Sequence, residues 1–182
     1  MRILDEGRAM ATFERMGLHG SNLSLTRYWL SLCKDGELPR KEDFEPRRIK
    51  SNLPGIALFE VAHSGAVVCR LAGTAIDRGL GWSMVGKDFI SLLPEEERPI
   101  RVSRLHKVVT DSAGLARTRF QIHGREFVQE NLLLPFDGIS ETGSQHFLLH
   151  TNVRPNDFDL LVRPEAWNTS LPEDYQEIAL FH

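Results

Sequence analysis

Ile56-Ala-Leu-Phe-Glu-Val-Ala62, then His63-Ser-Gly65, then Ala66-Val-Val-Cys-Arg-Leu-Ala72 is the stretch that decides the fold class. Aliphatic, aromatic and β-branched residues fill both flanks, and the break between them is short and ends in glycine, so two antiparallel strands joined as a hairpin are expected. Upstream the chain reads as helix. Ser21-Asn22 offer N-caps, and Leu25, Tyr28, Trp29, Leu32 and Cys33 recur at i, i+3, i+4, i+7 and i+8 before Asp35-Gly36 ends the run. This predicts an N-terminal amphipathic helix. Its stripe of Leu25, Tyr28, Trp29 and Leu32 is a candidate surface for packing on the sheet, for a partner or for a homodimer seam. Pro46 is placed to open a second short helix through Arg47, Arg48 and Ile49.

Downstream of the hairpin, Gly73, Gly79, Gly81 and Gly86 break the chain into short helical turns. The main helix is expected to start near Pro99, with Val102, Leu105, Val109 and Ala113 on one side, Arg104, Lys107 and Asp111 on the other, and Gly114 as its stop. Three more strands follow. Ala116 to His123 alternates Thr118, Phe120 and Ile122 against Arg117, Arg119 and Gln121, which predicts one buried and one wet face. Phe127 to Leu134 comes next, and Ser144 to Val153 sets Phe147, Leu149 and Thr151 against His146, Leu148 and His150. The order predicts an α+β fold, a single five-stranded antiparallel sheet with helices on one face plus the N-terminal helix. Residues 1–21 read as a loosely attached leader, 22–155 as the domain, and 156–182, with Phe158, Leu160, Leu161, Val162 and Trp167, as a C-terminal tail.

Composition narrows the partners. The 182 residues are 41% hydrophobic and 26% charged, with 22 Lys+Arg against 25 Asp+Glu and a net charge of -3. That balance argues against nucleic acid, and no apolar run approaches the roughly 20 residues that span a bilayer, so no membrane insertion is expected. Charges of both signs at Arg2, Asp5, Glu6 and Arg8 leave no signal peptide, which points to the cytoplasm. The two cysteines, Cys33 and Cys69, make neither a disulfide framework nor a zinc motif, and both are expected to pack as small apolar side chains.

The element order, with Gly86-Lys-Asp-Phe-Ile-Ser-Leu-Leu-Pro94 ahead of the long helix, resembles the PAS domain. Trp29, Leu38-Pro39-Arg40 with Asp43 and Pro46, Leu53-Pro54-Gly55-Ile56-Ala57-Leu58, Arg70-Leu71-Ala72-Gly73-Thr74 and Leu134-Pro135-Phe136-Asp137-Gly138 resemble, more narrowly, the single-domain PAS proteins of alphaproteobacteria. The resemblance covers about residues 22 to 155. It implies a five-stranded sheet and helices around a cavity that holds a small ligand in some members, and a stand-alone sensory or regulatory module that signals through contacts with itself, as a homodimer, or with a signalling protein. The identity of any cofactor is left unknown.

Pocket candidates are His106, Cys69, Trp82, Phe120, Glu130 and Leu132. His106 lies on the apolar side of the predicted long helix; haem-binding PAS domains use a histidine on that helix, which makes a haem or other cofactor sensor the alternative reading. Its bland reading is a hydrogen-bonded core or edge histidine. Cys69 lacks the Asn-Cys-Arg context of flavin-binding relatives, and reads better as a small strand residue. Glu130 shares a strand face with Val128, Leu132 and Leu134, so it is either a polar anchor for a ligand or half of an ion pair, with Arg70 as the expected partner. His146 and His150 lie about 13 Å apart on one face, too far for one metal ion, and no metal site is expected. Gly79-Leu-Gly-Trp-Ser-Met-Val-Gly86 is a loop rather than a dinucleotide fingerprint, with Trp82 placed to cap a pocket or fill the core. Arg40, Lys41, Arg47, Arg48 and Lys50 alternate with Glu42, Asp43 and Glu45 as a solvated face does. No nucleophile elbow, P-loop, zinc-protease or kinase motif occurs, so an enzyme is not expected; one acting on a small molecule through Glu130 and His106 is the third reading.

Overall fold

Leu132-Leu133-Leu134 and Phe147-Leu148-Leu149 are unbroken apolar runs, and because strand neighbours point to opposite faces, a sheet carrying them must be covered on both sides. The structure, a computed structural model, describes residues 4–122, 125–138, 143–152 and 174–181. Two helices, α1 (Glu6–Arg15) and α2 (Gly20–Leu30), precede three 3-10 turns at Lys41–Asp43, Pro46–Ile49 and Leu53–Gly55. The hairpin β1 (Ile56–Val61) and β2 (Val67–Ala72) follows, then α3 (Thr74–Leu80), a 3-10 turn at Ile90–Leu92 and α4 (Arg98–Thr110). Strands β3 (Ser112–Ile122), β4 (Arg125–Pro135), β5 (Gln145–Asn152) and β6 (Asp174–Ala179) complete the chain. They form one antiparallel sheet in the order β2-β1-β5-β4-β3-β6.

Among the described residues the sheet has six strands where five were expected. The sixth comes from the C-terminal segment and pairs with β3, Ile178 opposite Ala113. Helices lie on both faces rather than one. On what we call the outer face, Phe13, Leu25 and Trp29 of α1 and α2 pack on Ile56, Leu115, Leu132, Leu134, Leu148 and Ile178. On the inner face, Leu105, Val108 and Val109 of α4 pack with Met84 on Ala57, Phe59, Val67, Cys69, Leu133 and Phe147. Residues 6–15, expected to be part of a loose leader, form α1. Asp5 caps it, its carboxylate accepting from the Arg8 N–H at 2.9 Å, and Ala9 and Phe13, one turn apart, are buried. The side chains of the tail residues 156–173 lie outside the described residues, as does that of Phe120.

The long helix begins where proline predicts but ends earlier, at Thr110. Ala113 and Gly114 belong to β3. Gly114 is demanded by packing rather than by a helix stop, because a Cβ there would come within 2.9 Å of the Tyr175 hydroxyl and 3.2 Å of Val108 Cγ2. At Gly55 a Cβ would collide with the Thr151 carbonyl, so the turn before β1 can lie against β5 only with glycine in place. Among the described residues no helix is long and apolar enough to cross a membrane.

Candidate functional site

Buried polar side chains converge on the outer face, where the turn between α1 and α2 meets β3, β4 and β5. Glu130 projects from β4 and is only 5% exposed. Its Oε1 accepts from the Asn22 amide at 2.7 Å and from the His19 N–H at 2.9 Å, and its Oε2 accepts from Arg117 Nε of β3 at 3.0 Å. Arg117 also donates to the Met16 carbonyl at 2.7 Å, just past the end of α1. The carboxylate thus sits at the N-terminus of α2 and the guanidinium at the C-terminus of α1, each matching the partial charge of that helix end.

His150 of β5 extends this cluster. The Asn22 amide nitrogen is committed to Glu130, so its oxygen faces His150 and accepts from Nδ1–H. His150 Nε2 then bears no proton and accepts from the Asn52 amide at 3.4 Å, while Asn52 also donates to the Ser21 carbonyl at 2.9 Å. Burial, first, and the nearby His19 push the His150 imidazole down to about 4, against the opposing pull of Glu130. The neutral ring is the form this chain of donors and acceptors requires.

The other candidates do not gather around one site. Cys69 is buried on the inner face, where its thiol donates to the Leu71 carbonyl and burial raises it to about 11, so it is held as a protonated thiol. Phe59 there stacks on Phe147 with ring centres 5.1 Å apart and meets Phe89 edge-on at 5.7 Å. Leu132, by contrast, is buried on the outer face. His106 is exposed: α4 meets the sheet through Leu105, Val108 and Val109, and Val102, which had set the phase of the apolar side, is itself in solvent. Trp82 is 42% exposed. Arg70 is not the partner of Glu130, because two strands, β1 and β5, separate β2 from β4; it pairs instead with Glu60 at 2.6 Å and helps hold that carboxyl low. In the helical stripe Leu25 and Trp29 are fully buried within the chain, Trp29 donating from Nε1 to the Pro135 carbonyl at 2.9 Å, and Tyr28 and Leu32 are half-buried.

The sequence model of the PAS domain matches residues 18–149, more than half of the chain. The chain belongs to the PAS domain family. Among solved structures it is similar to RsLOV, at 17% identity and a TM-score of 0.36 over 62% of this chain and 71% of that one. It is similar to an RNA-binding light-oxygen-voltage receptor at 16% identity and 0.40, over 75% of this chain, of which it spans only 40%. The PAS domain from Bordetella pertussis BvgS gives 16% identity and 0.32, over 59% and 81%. No curated protein matches the chain.

Within this PAS domain the quoted sequence motifs acquire physical reasons. Leu53-Pro54-Gly55 and Gly73 meet where the start of β1 and the end of β2 come together, the Gly73 N–H donating to the Ile56 carbonyl at 2.7 Å. Pro135-Phe136 supplies the carbonyl for Trp29 and a buried ring against Phe44. Asn22, Asn52, His19 and Arg117 were not among the sequence candidates. The available signal was the placement of Glu130 and His150 on strand faces otherwise filled by Leu132, Leu134 and Leu148, since two polar groups on one buried face must find partners.

Proposed function

We propose that this PAS domain is a sensory or regulatory module that acts through contacts with a protein partner or a second copy of itself. The observation that carries the reading is the packing of the inner face, where Phe59 lies against both Phe147 and Phe89 in one cluster with Val108, Met84 and Cys69. These side chains stand between α4 and the sheet, the place where a ligand-holding PAS domain keeps its small molecule. The buried Leu25 and Trp29 turn the helical stripe inward, so contacts to partners are made elsewhere on the surface.

The test is an absorption spectrum of the full chain, purified and then titrated with haem and with flavin mononucleotide, beside light scattering across a hundredfold range of concentration. The reading expects no visible or Soret band beyond that of free cofactor, and a particle mass that rises with concentration or with an added partner. A stoichiometric bound-cofactor band, retained in the wild-type chain and lost on changing an inner-face residue such as Cys69→Ala, would replace it with a cofactor sensor.

A further inference from the structure

We propose that Leu71, Trp82 and Val85, flanked by Arg78 and Lys87, form a docking surface for an acidic segment of another protein, one that sets an aliphatic or aromatic side chain between carboxylates. The inference deepens the contact-based reading of the module and rests on it. Its first ground is where exposed apolar surface gathers. Among the described residues, only Val128 of the seven large hydrophobics in solvent lies outside residues 71–102. Leu71, Trp82 and Val85 are 44%, 42% and 48% exposed. Scattered singly, such residues need no explanation, but brought together they mark a contact surface.

The fold brings these three together. The segment after α3 runs antiparallel along the free edge of β2: the Gly86 N–H donates to the Cys69 carbonyl at 2.8 Å, the Cys69 N–H donates to the Lys87 carbonyl at 3.1 Å, and Val68 lies opposite Asp88. Val85 therefore arrives beside the end of β2, where Leu71 stands. Gly81 closes α3 in the left-handed conformation, with φ 73°, and Met84 is the residue of the loop that enters the inner cluster, its N–H held by Asp77 Oδ1 at 3.2 Å. Trp82 and Val85, on either side of that anchor, are left in solvent on a loop fixed at both ends. A surface ordered before binding loses little freedom when a partner arrives, and tryptophan is among the residues that dominate such contacts.

The second ground is charge. Arg78, in the last turn of α3, and Lys87, two residues past Val85, are exposed and pair with no carboxylate among the described residues. The carboxylates nearest to them in sequence are turned to the backbone, Asp77 to the Met84 N–H and Asp88 to the Val67 and Ile90 N–H groups at 3.0 and 3.2 Å. The rim thus presents cations in a chain whose net charge is -3. Opposite charge across an interface speeds encounter and selects the partner. A second copy seated symmetrically would set Arg78 and Lys87 against themselves. Anionic lipid is recognised by clusters of about four to eight cations, and this rim offers only Arg78 and Lys87. An acidic protein segment matches both the apolar centre and the rim.

A displayed library of short random peptides, selected on the full chain, tests the surface. The enriched peptides are expected to be acidic and to carry Leu, Ile, Phe or Trp, and their binding is expected to weaken about tenfold or more in Trp82→Ala and in Lys87→Glu. Both positions are exposed, so the urea midpoints of the two variants should stay near wild type. Val128→Ala, on β4 and separated from β2 by β1 and β5, is the control and should leave binding unchanged. Enrichment of neutral or basic peptides, or of none that distinguish wild type from Trp82→Ala, overturns the proposal. Sedimentation with phosphatidylserine vesicles at physiological salt, or a concentration-dependent rise in mass, also overturns it if lost in Trp82→Ala, assigning the surface to a membrane or to a second copy. Peptides that bind and survive both substitutions keep the contact-based reading and remove this surface, whereas a bound-cofactor band removes that reading and leaves the peptide result standing, so the two failures are distinguishable.

Discussion

Phe147 and Leu148 are neighbours in β5 yet serve opposite surroundings. Phe147 enters the inner face, where it stacks on Phe59 within the apolar cluster; Leu148 enters the outer face, two positions from His150 and opposite Leu134 in the row of β4 that carries Glu130. Dry packing of the inner kind tolerates several arrangements of similar volume, whereas a connected polar network accepts one and penalises every member that loses its partner. The contrast teaches that one sheet can be covered by two layers of different character. Both layers supply apolar cohesion, and the outer adds a polar network that defines the position of the N-terminal helices.

The sharpest way to break the contrast is to empty the inner face. Phe147→Ala is expected to cost about 3–5 kcal/mol, seen as a lower urea midpoint with unchanged slope; a loss under about 1 kcal/mol would mean that the inner face is loosely filled. The next effect belongs to the outer face and is driven by pH. In the unfolded chain His150 titrates near 6.5 and in the folded chain near 4, so between those values the unfolded state holds the additional proton. Stability should therefore fall as pH drops from 6.5 toward 4, by about 3 kcal/mol in all, and urea titrations of His150→Gln should show a shallower dependence over the same window. His146, also lowered by burial, acts in the same direction.

Gly114→Ala probes the seam where α4 and β6 meet the inner side of β3, and should cost about 1–3 kcal/mol, measured as a fall in Tm. Loss of the exposed Arg70–Glu60 pair through Arg70→Ala should cost at most about 1 kcal/mol, since half of the Arg70 side chain is in solvent. Smallest of all, His106→Ala should lie within about 0.5 kcal/mol of wild type; a larger change would place that ring in a contact that the exposed face of α4 does not provide.

The inner half of this arrangement was largely legible in the sequence. The hairpin around His63-Ser64-Gly65, the turns among glycines before the long helix and the alternation of β3 to β5 all follow from local pattern. In the outer half the stripe of α2 was legible, with Leu25 and Trp29 buried, but α1, β6 and the partners of Glu130 were not, because their determinants are non-local. Helix α1 presents only Ala9 and Phe13 as buried residues, too few for periodicity to reveal, and β6 buries only Ile178 of its six residues, so its identity as a strand depends on the free edge of β3. Arg117 read as part of a wet face because Arg119 and Gln121 follow it; its partnership with Glu130 needs the β3–β4 register, which residue types alone do not set. The phase of α4 was misjudged from Val102 because only the later turns of that helix touch the sheet.

The central claim is that the outer face is held by a connected network and not by a set of independent contacts. A double-mutant cycle between Asn22→Ala and Glu130→Gln, read by urea unfolding at pH 7, addresses it most directly. The network predicts a coupling of about 1 kcal/mol or more between the two substitutions, each alone leaving the other's group without its partner. Additivity within about 0.5 kcal/mol would contradict it.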